Sequence, residues 1–458
     1  MSNSTEKIVR FFGGHADCER KARECGLVER ESKFGGVEFL LTFTHGICGV
    51  PEATLDQLAQ FLKNVCDIRM APQSLDGRLN EAAVTFMREM LAKALSIAAE
   101  MEGCRKAFAG RFNHVYIIDS TNFPLHPSLQ VAFKGSGGDA APALMRIQFA
   151  MDFVSGIMHI RIGDAQLSDA PTLRKIVEDN ALPFDGETLW MGDLGYASQA
   201  TSVTIDDKDG YCLFRGRPGT KYTSPDGSLI NLTNMLKEKP TVFDIPITLN
   251  GRSFRLVGRR LPEEHANRAI QKSREKRCKD GRQGDIGNDC KLFAGYLLFV
   301  TNLPADEFPV ERLIVIYKVR WQIELVFKTW KSLLKINVIK TARQHRLECE
   351  VYGKLIMAVM ITALAKEAFR LYEPKPSCRV ACLSLHKAIN RAKVFIAVTW
   401  TRTAVACMTW QRNAVTQFMK DIRDNAIKSY CAKKPSIEML LANPDLLFTS
   451  GKYTRIIA

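Results

Sequence analysis

The stretch His114–Asp119, HVYIID, marks the change of pattern on which the fold turns. Before it, to about residue 105, apolar residues recur at helical spacing in TLDQLAQFLKNVCDI (54–68) and AAVTFMREMLAKALSIAAEM (82–101). After it come LMRIQFAMDF (144–153), GIMHIRIG (156–163) and ETLWMGD (187–193), each rich in β-branched or aromatic residues and bounded by turn formers. The first three runs follow one another without a helix, which predicts an antiparallel meander. DAPTLRKIVED (169–179) reads as a helix before the fourth strand, which predicts a crossover into parallel pairing. The spacing thus describes a mixed α/β sheet.

Beyond Asp193 the chain passes through YCLFRG (211–216) into a Gly-, Pro- and Thr-rich stretch. It returns to strand-like TVFDIPITL (241–249), SFRLVGRRL (253–261) and YLLFVTNLP (296–304), and reads as helical from about Glu307 onward. Five regions result: a helical domain over 1–105, a first part of an α/β core over 106–215, a β-rich insertion over 216–302, a second part of the core over 303–370, and a helical C-terminal region over 371–458.

The composition of the 458 residues, 46% hydrophobic and 25% charged, excludes a disordered or fibrous chain. The formal charge of +15 favours a polyanion, because each neutralised phosphate releases condensed counterions. Thirteen cysteines are scattered without a CxxC pair, Cys378 and Cys382 included, and the eight histidines show no zinc spacing. Reduced thiols follow. The apolar run Leu355–Ala365 falls short of the ~20 residues that span a bilayer, and the N-terminal stretch has no continuous apolar core, so a cytoplasmic protein with no membrane partner is expected.

Two segments suit contact with DNA. In MAPQSLDGRL (70–79), Pro72 can open a short helix projecting Gln73, Ser74 and Arg78; with its flanking helices this outlines a helix-turn-helix or a plain helical hairpin. Thr54 is placed as the N-cap of the helix before it. From Arg252 to Arg282 eleven Lys or Arg face four acids, a local +7. Within it ANRAIQKSREKRCKDGRQG (266–284), with Lys272, Arg274, Lys276 and Arg277, is too poor in apolar residues to fold alone and reads as either a solvated face or a phosphate contact. KGSGG (134–138) lacks the ending of a phosphate loop and reads as a hairpin tip.

The chemistry is concentrated in VERLIVIYKVRWQIELVFKTWKSLLK (310–335). Read as one helix, it gathers Tyr317, Arg320, Glu324, Lys328 and Lys331 within an arc of about 80° on an otherwise apolar surface. Such a stripe is a set of i,i+4 ion pairs or the wall of a charged cleft. Asp119 and Asp193 each close an apolar strand, where an Asp serves as a turn or cap residue or as a site carboxylate. Three carboxylates at one sheet end and a facing helix can hold two Mg2+ ions about 3.5–4 Å apart.

Tyr317, Arg320, Glu324 and Lys331 reproduce without a gap the spacing Tyr-x2-Arg-x3-Glu-x6-Lys. With IIDSTNF around Asp119 and MGDLGYAS around Asp193, the chain resembles the DDE transposases of the bacterial insertion-sequence-4 family from about Phe34 to Ala368. The resemblance implies a ribonuclease-H-like core interrupted by a β-strand insertion and flanked by helical regions. It also implies Asp119, Asp193 and Glu324 as ligands of two Mg2+ ions, with Mn2+ able to substitute. Tyr317, Arg320, Lys328 and Lys331 would touch phosphates of the transposon end. Tyr296 stands where relatives carry a Trp that stacks on a flipped base; as an ordinary strand aromatic it would belong to the core instead.

The implied activity is cleavage at terminal inverted repeats and joining to target DNA, through a hairpin intermediate and with a homodimer on paired ends. A metal-dependent nuclease of the same fold and a non-catalytic transposase-derived repressor are the rival readings.

Overall fold

The computed structural model describes residues 15–426, apart from 31–32, 51, 102–110, 138–140, 156, 218, 280, 282–284, 319, 371–383, 404–416, 419 and 423. Most of the expected C-terminal region lies outside the described residues. Its centre is a ten-stranded sheet in the order β3-β2-β1-β4-β5-β10-β9-β8-β6-β7. β1 (His114–Pro124), β2 (Leu144–Asp152) and β3 (Met158–Gly163) form the antiparallel meander. β4 (Thr188–Gly192) and β5 (Tyr211–Arg215) join parallel to β1. A meander followed by two parallel strands beside the first is the ribonuclease-H-like arrangement.

Strand alternation sorts the side chains onto two faces. Val115 and Ile117 of β1, Leu189 and Met191 of β4 and Leu213 of β5 belong to one core, with the N-terminal helices and the helices after residue 310. Tyr116, Ile118, Trp190, Cys212 and Phe214 belong to the other. The second face is covered by the crossover helices Asp169–Glu178 and Gln199–Asp206, through Leu173, Ile176, Val177 and Ile205.

In chain order the helices are α1 (His15–Glu24), α2 (Gly36–Leu41, continuing through the wide turn Thr42–Gly46 to Ile47–Gly49), α3 (Leu55–Cys66), α4 (Pro72–Asp76), α5 (Glu81–Met101), α6 (Asp169–Glu178) and α7 (Gln199–Asp206). They continue as α8 (Leu232–Lys237), α9 (Glu263–Lys279), α10 (Asn288–Ala294), α11 (Val310–Lys318), α12 (Trp321–Leu333), α13 (Gln344–Arg370) and α14 (Leu385–Thr403). Thr54 caps α3 through a capping box with Gln57, and Pro72 occupies the first turn of α4. The N-terminal helices share one core with α13. There Gly353 is indispensable, since a Cβ would stand 1.7 Å from the Phe43 carbonyl.

The segment between β5 and α11 carries helices beside its strands. β6 (Tyr222–Thr223), β7 (Leu229–Ile230), β8 (Val242–Leu249), β9 (Arg252–Arg260) and β10 (Tyr296–Thr301) continue the core sheet, and α8, α9 and α10 accompany them. β10 pairs directly with β5, Phe299 opposite Arg215. The basic run is the helix α9. Arg255 donates to the carbonyls of Leu303 (2.6 Å) and Phe308 (3.1 Å), and Arg259 pairs with Glu311 of α11 at 3.2 Å, tying this part of the sheet to the signature helices.

Candidate active site

Parallel pairing of β1 with β4 runs as far as Ile117 and Met191, and β1 then continues to Pro124 with β2 alone. Asp119 therefore stands in the middle of its strand rather than at its end, just past the point where the two strands part. Asp193 follows the last residue of β4. As the chain turns after it, Gly195 N–H donates to Asp193 Oδ1 (2.9 Å) and Tyr196 N–H to the Asp193 carbonyl (3.1 Å). Gly192 permits this turn, because a Cβ there would meet Tyr196 Cβ at 2.8 Å. By alternation Asp119 lies on the face of Val115 and Ile117, the face covered by α11–α13.

The signature segment is two helices, not one. α11 ends at Lys318 and α12 begins at Trp321, with Arg320 N–H donating to the Tyr317 carbonyl (3.0 Å) at the join. Tyr317 thus belongs to the first helix and Glu324 to the first turn of the second, and tertiary packing gathers them. Tyr317 donates to the carbonyl of Gly192 (3.2 Å), next to Asp193, and its ring lies 4.8 Å from Phe299. Phe149, directly across from Asp119 on β2, packs on Phe327 (5.8 Å) and Trp330 (5.1 Å) of α12. Trp330 Nε1 donates to Thr362 Oγ1 at 3.0 Å. The residue opposite one carboxylate thus anchors the helix that carries another.

Arg320 joins the acids. Its guanidinium donates to Glu324 Oε1 at 2.5 Å, stands 3.8 Å from Asp119 Oδ2 and lies 5.5 Å over the Tyr317 ring, with the side chain 14% exposed. Burial pushes the Asp119 carboxyl up to about 6; Asp193 and Glu324 add to the rise, against the Ser120 N–H and Arg320. Burial lowers the Lys331 ammonium, partly offset by Asp119. Lys328, on the same helix, is exposed.

A further cation had no signal in the sequence beyond its position after a strand. Arg215 ends β5, next to Asp193 in the register that pairs Gly192 with Phe214. Burial lowers its guanidinium, and Tyr317, Arg320 and Asp193 are its electrostatic neighbours. Among the described residues it makes no ion pair.

Other expected contacts fall elsewhere. Tyr296 is 5% exposed, in the opposite core from Phe299, its ring near Phe243 and its hydroxyl 3.4 Å from the Leu236 carbonyl. This corrects the expected stacking position: alternation along β10 turns Tyr296 away from the carboxylates, and burial leaves no ring face for a base. On α9, Lys272 and Arg274 are exposed, and Arg274 is held by Asp285 (2.8 Å), which also pairs with Lys291 (2.6 Å). Arg277 is half-buried on the same helix, which Lys276 also shares. On α4, Gln73 and Ser74 are exposed, while Arg78 lies 5.9 Å over the Phe34 ring.

Among the described residues no three His, Cys, Asp or Glu side chains stand close enough to hold a metal ion as placed. The donor set nevertheless fits a hard divalent cation, being carboxylate oxygen throughout, and Arg320 supplies the positive charge between Asp119 and Glu324.

Residues 110–360 match the family model described as the transposase DDE domain. The chain is 29% identical over 366 residues to the transposase for insertion sequence element IS231F of Bacillus thuringiensis subsp. israelensis, covering 74% of this chain and 75% of that protein. It is 34% identical over 374 residues to InsL of insertion sequence element IS186A from Escherichia coli K12, covering 77% and 92%. Among solved structures, the piggyBac transposase synaptic complex with hairpin DNA aligns over 96% of this chain and 88% of that one, at TM-score 0.47 and 11% identity.

A ribonuclease-H-like sheet in a chain whose residues 110–360 match a transposase DDE domain defines a DNA-processing enzyme. The chain belongs to the DDE transposase family, enzymes that cut and join DNA with divalent metal. Among the described residues no helix is long and apolar enough to cross a membrane.

Proposed function

We propose that Asp119, Asp193 and Glu324 are the catalytic carboxylates of a transposase that cleaves terminal inverted repeats and joins the freed 3′ ends to target DNA. The observation that carries this reading is the meeting of Asp119 and Glu324 through one guanidinium, beside the Asp193 turn, from segments more than two hundred residues apart. Two Mg2+ ions, or Mn2+ in their place, supply an activated water or 3′-hydroxyl and stabilise the leaving oxygen when bound. Asp119, Asp193 and Glu324 would hold them. Arg215, Arg320 and Lys331 orient the scissile phosphate and neutralise its developing charge. Tyr317 holds its helix to the Asp193 turn through Gly192.

The helices up to about residue 105 are assigned to inverted-repeat binding, with Gln73 and Ser74 toward the groove, and residues 216–302 to contact along the end with Lys272. Hairpin formation at the end and a homodimer on paired ends, acting in the bacterial cytoplasm, complete the reading. The test is incubation with donor DNA and Mg2+. Joined products are expected; cutting without joining would mark a nuclease, and retardation alone a repressor.

A further inference from the structure

β1 and β2 stay paired as far as Pro124 opposite Leu144, five residues beyond Asp119. At about 3.4 Å per residue, the connection between the two strands begins about 17 Å along β1 from that carboxylate. It opens as a fixed turn. Pro127–Leu129 form a short 3-10 helix, the Phe133 N–H donates to the Leu129 carbonyl (2.8 Å), and Leu125, Leu129 and Phe133 are buried in the core shared with the helices. On one side Ser128 Oγ donates to the carbonyl of Ala342 (3.3 Å), in the segment that follows α12. On the other, the Lys134 N–H donates to Asp164 Oδ2 (3.3 Å) and its carbonyl accepts from the Ala165 N–H (3.0 Å). Val131 stands between the anchors Leu129 and Phe133 and is 94% exposed, more than any other large apolar side chain among the described residues.

An isolated exposed valine is ordinary on a protein surface. This one is held by its turn from below and from both sides, so it can enter a groove without the cost of ordering a loop. Its surroundings are cationic. Lys134 is exposed and makes no ion pair among the described residues, and Lys340 and Arg343 are exposed on either side of Ala342. Arg343 pairs with Asp76 of α4, so the turn lies between α4 and the strand that carries Asp119. We infer that Val131 is an apolar contact to the transposon end, seated on sugars and base edges, with Lys134 on a neighbouring phosphate. The inference rests on the proposed roles of Asp119 and α4, because a duplex that meets both has this turn beneath it. At about 3.4 Å per base pair, the contact falls about five base pairs inside the cut.

The test is binding of the full chain, without metal, to a duplex of the element's terminal inverted repeat and to one of random sequence. Hydroxyl-radical footprints on the first duplex and the melting of each protein complete it. Val131→Asp should weaken binding to the end by about tenfold, because it sets a carboxylate against phosphates, and Val131→Ala by about threefold through lost apolar contact. Both should lose protection about five base pairs from the cut. Both should melt with the wild type, since the side chain is exposed. Val394→Asp, at another exposed valine on α14, should bind as the wild type does. Unaltered binding and footprint in Val131→Asp would overturn the inference, as would an equal loss in Val394→Asp or a melting temperature several degrees lower in Val131→Ala. Wild-type protein without preference for the inverted-repeat duplex would overturn the proposed end-binding reading, and this inference with it.

Discussion

On the proposed reading, the acids and the cations of the site have separable roles. Asp119→Asn, Asp193→Asn and Glu324→Gln keep size and hydrogen bonding while removing the charge a cation needs. Each should reduce end cleavage by about 10³-fold or more with end binding nearly intact; near-normal cleavage by any one in gel assays would remove that residue from the site. Arg215→Ala should behave otherwise. A half-buried guanidinium beside Arg320, with no ion pair among the described residues, is a place prepared for an anion. Its loss should lower cleavage by about 10²-fold and weaken end binding too, read from single-turnover rates and retardation on the same preparation. Cleavage lost without any change in binding would assign Arg215 to holding Asp193 instead.

At the scale of elements, packing decides how far apart the carboxylates stand. Phe149→Ala removes the ring between β2 and α12, and an unfilled cavity there should cost about 3–5 kcal/mol in urea unfolding. Because that ring stands opposite Asp119, cleavage by the folded fraction should fall as well; a stable, fully active variant would show that Glu324 is held from elsewhere. The far end of α12 is closed by two lysines, Lys354 buried and Lys393 half-buried. Lys354 donates to the carbonyls of Lys335 (3.2 Å) and Val338 (2.5 Å), and Lys393 to that of Leu333 (2.7 Å).

The opening of β1 carries a pH dependence. Asp152, fully buried, accepts from the N–H groups of Val115 and Val154 and pairs with His114 Nδ1 at 2.7 Å. Burial alone would raise Asp152, but His114, Ser155 and the two N–H groups outweigh it and hold it below the usual range; the bond to Asp152 in turn raises His114. The Asp152 contribution is present above about pH 4 and lost as pH falls through its depressed value. The His114 contribution is complete below about pH 6.5 and lost as pH rises through its elevated value. His114→Gln should therefore destabilise more at pH 5.5 than at pH 9 in denaturant titrations. An equal penalty at both would mean the imidazole is neutral throughout.

For the whole molecule, a surplus of +15 makes binding to DNA salt-dependent, and the contribution of each cation depends on its neighbours. Lys272→Ala should flatten the logarithmic salt slope by about one unit, whereas Arg274→Ala should change it less, because Asp285 already holds that guanidinium. Equal changes in a filter-binding series would show that DNA displaces Asp285. Helices before residue 105 share a core with α13, so truncating them should unfold more than a binding module.

Periodicity and spacing alone determined the meander, the parallel crossover and the caps at Thr54 and Pro72, because these are local patterns; the three acids and their signature cations stood out through the family resemblance. Local spacing could not show that the signature segment breaks at Arg320, since helix period continues through its apolar residues. Nor could it place Tyr296 in the opposite core, which depends on the alternation phase of a strand relative to β5. Arg215 carries no motif; its meaning comes from standing one strand from Asp193. Which charges meet is a property of register and of which face each strand residue presents.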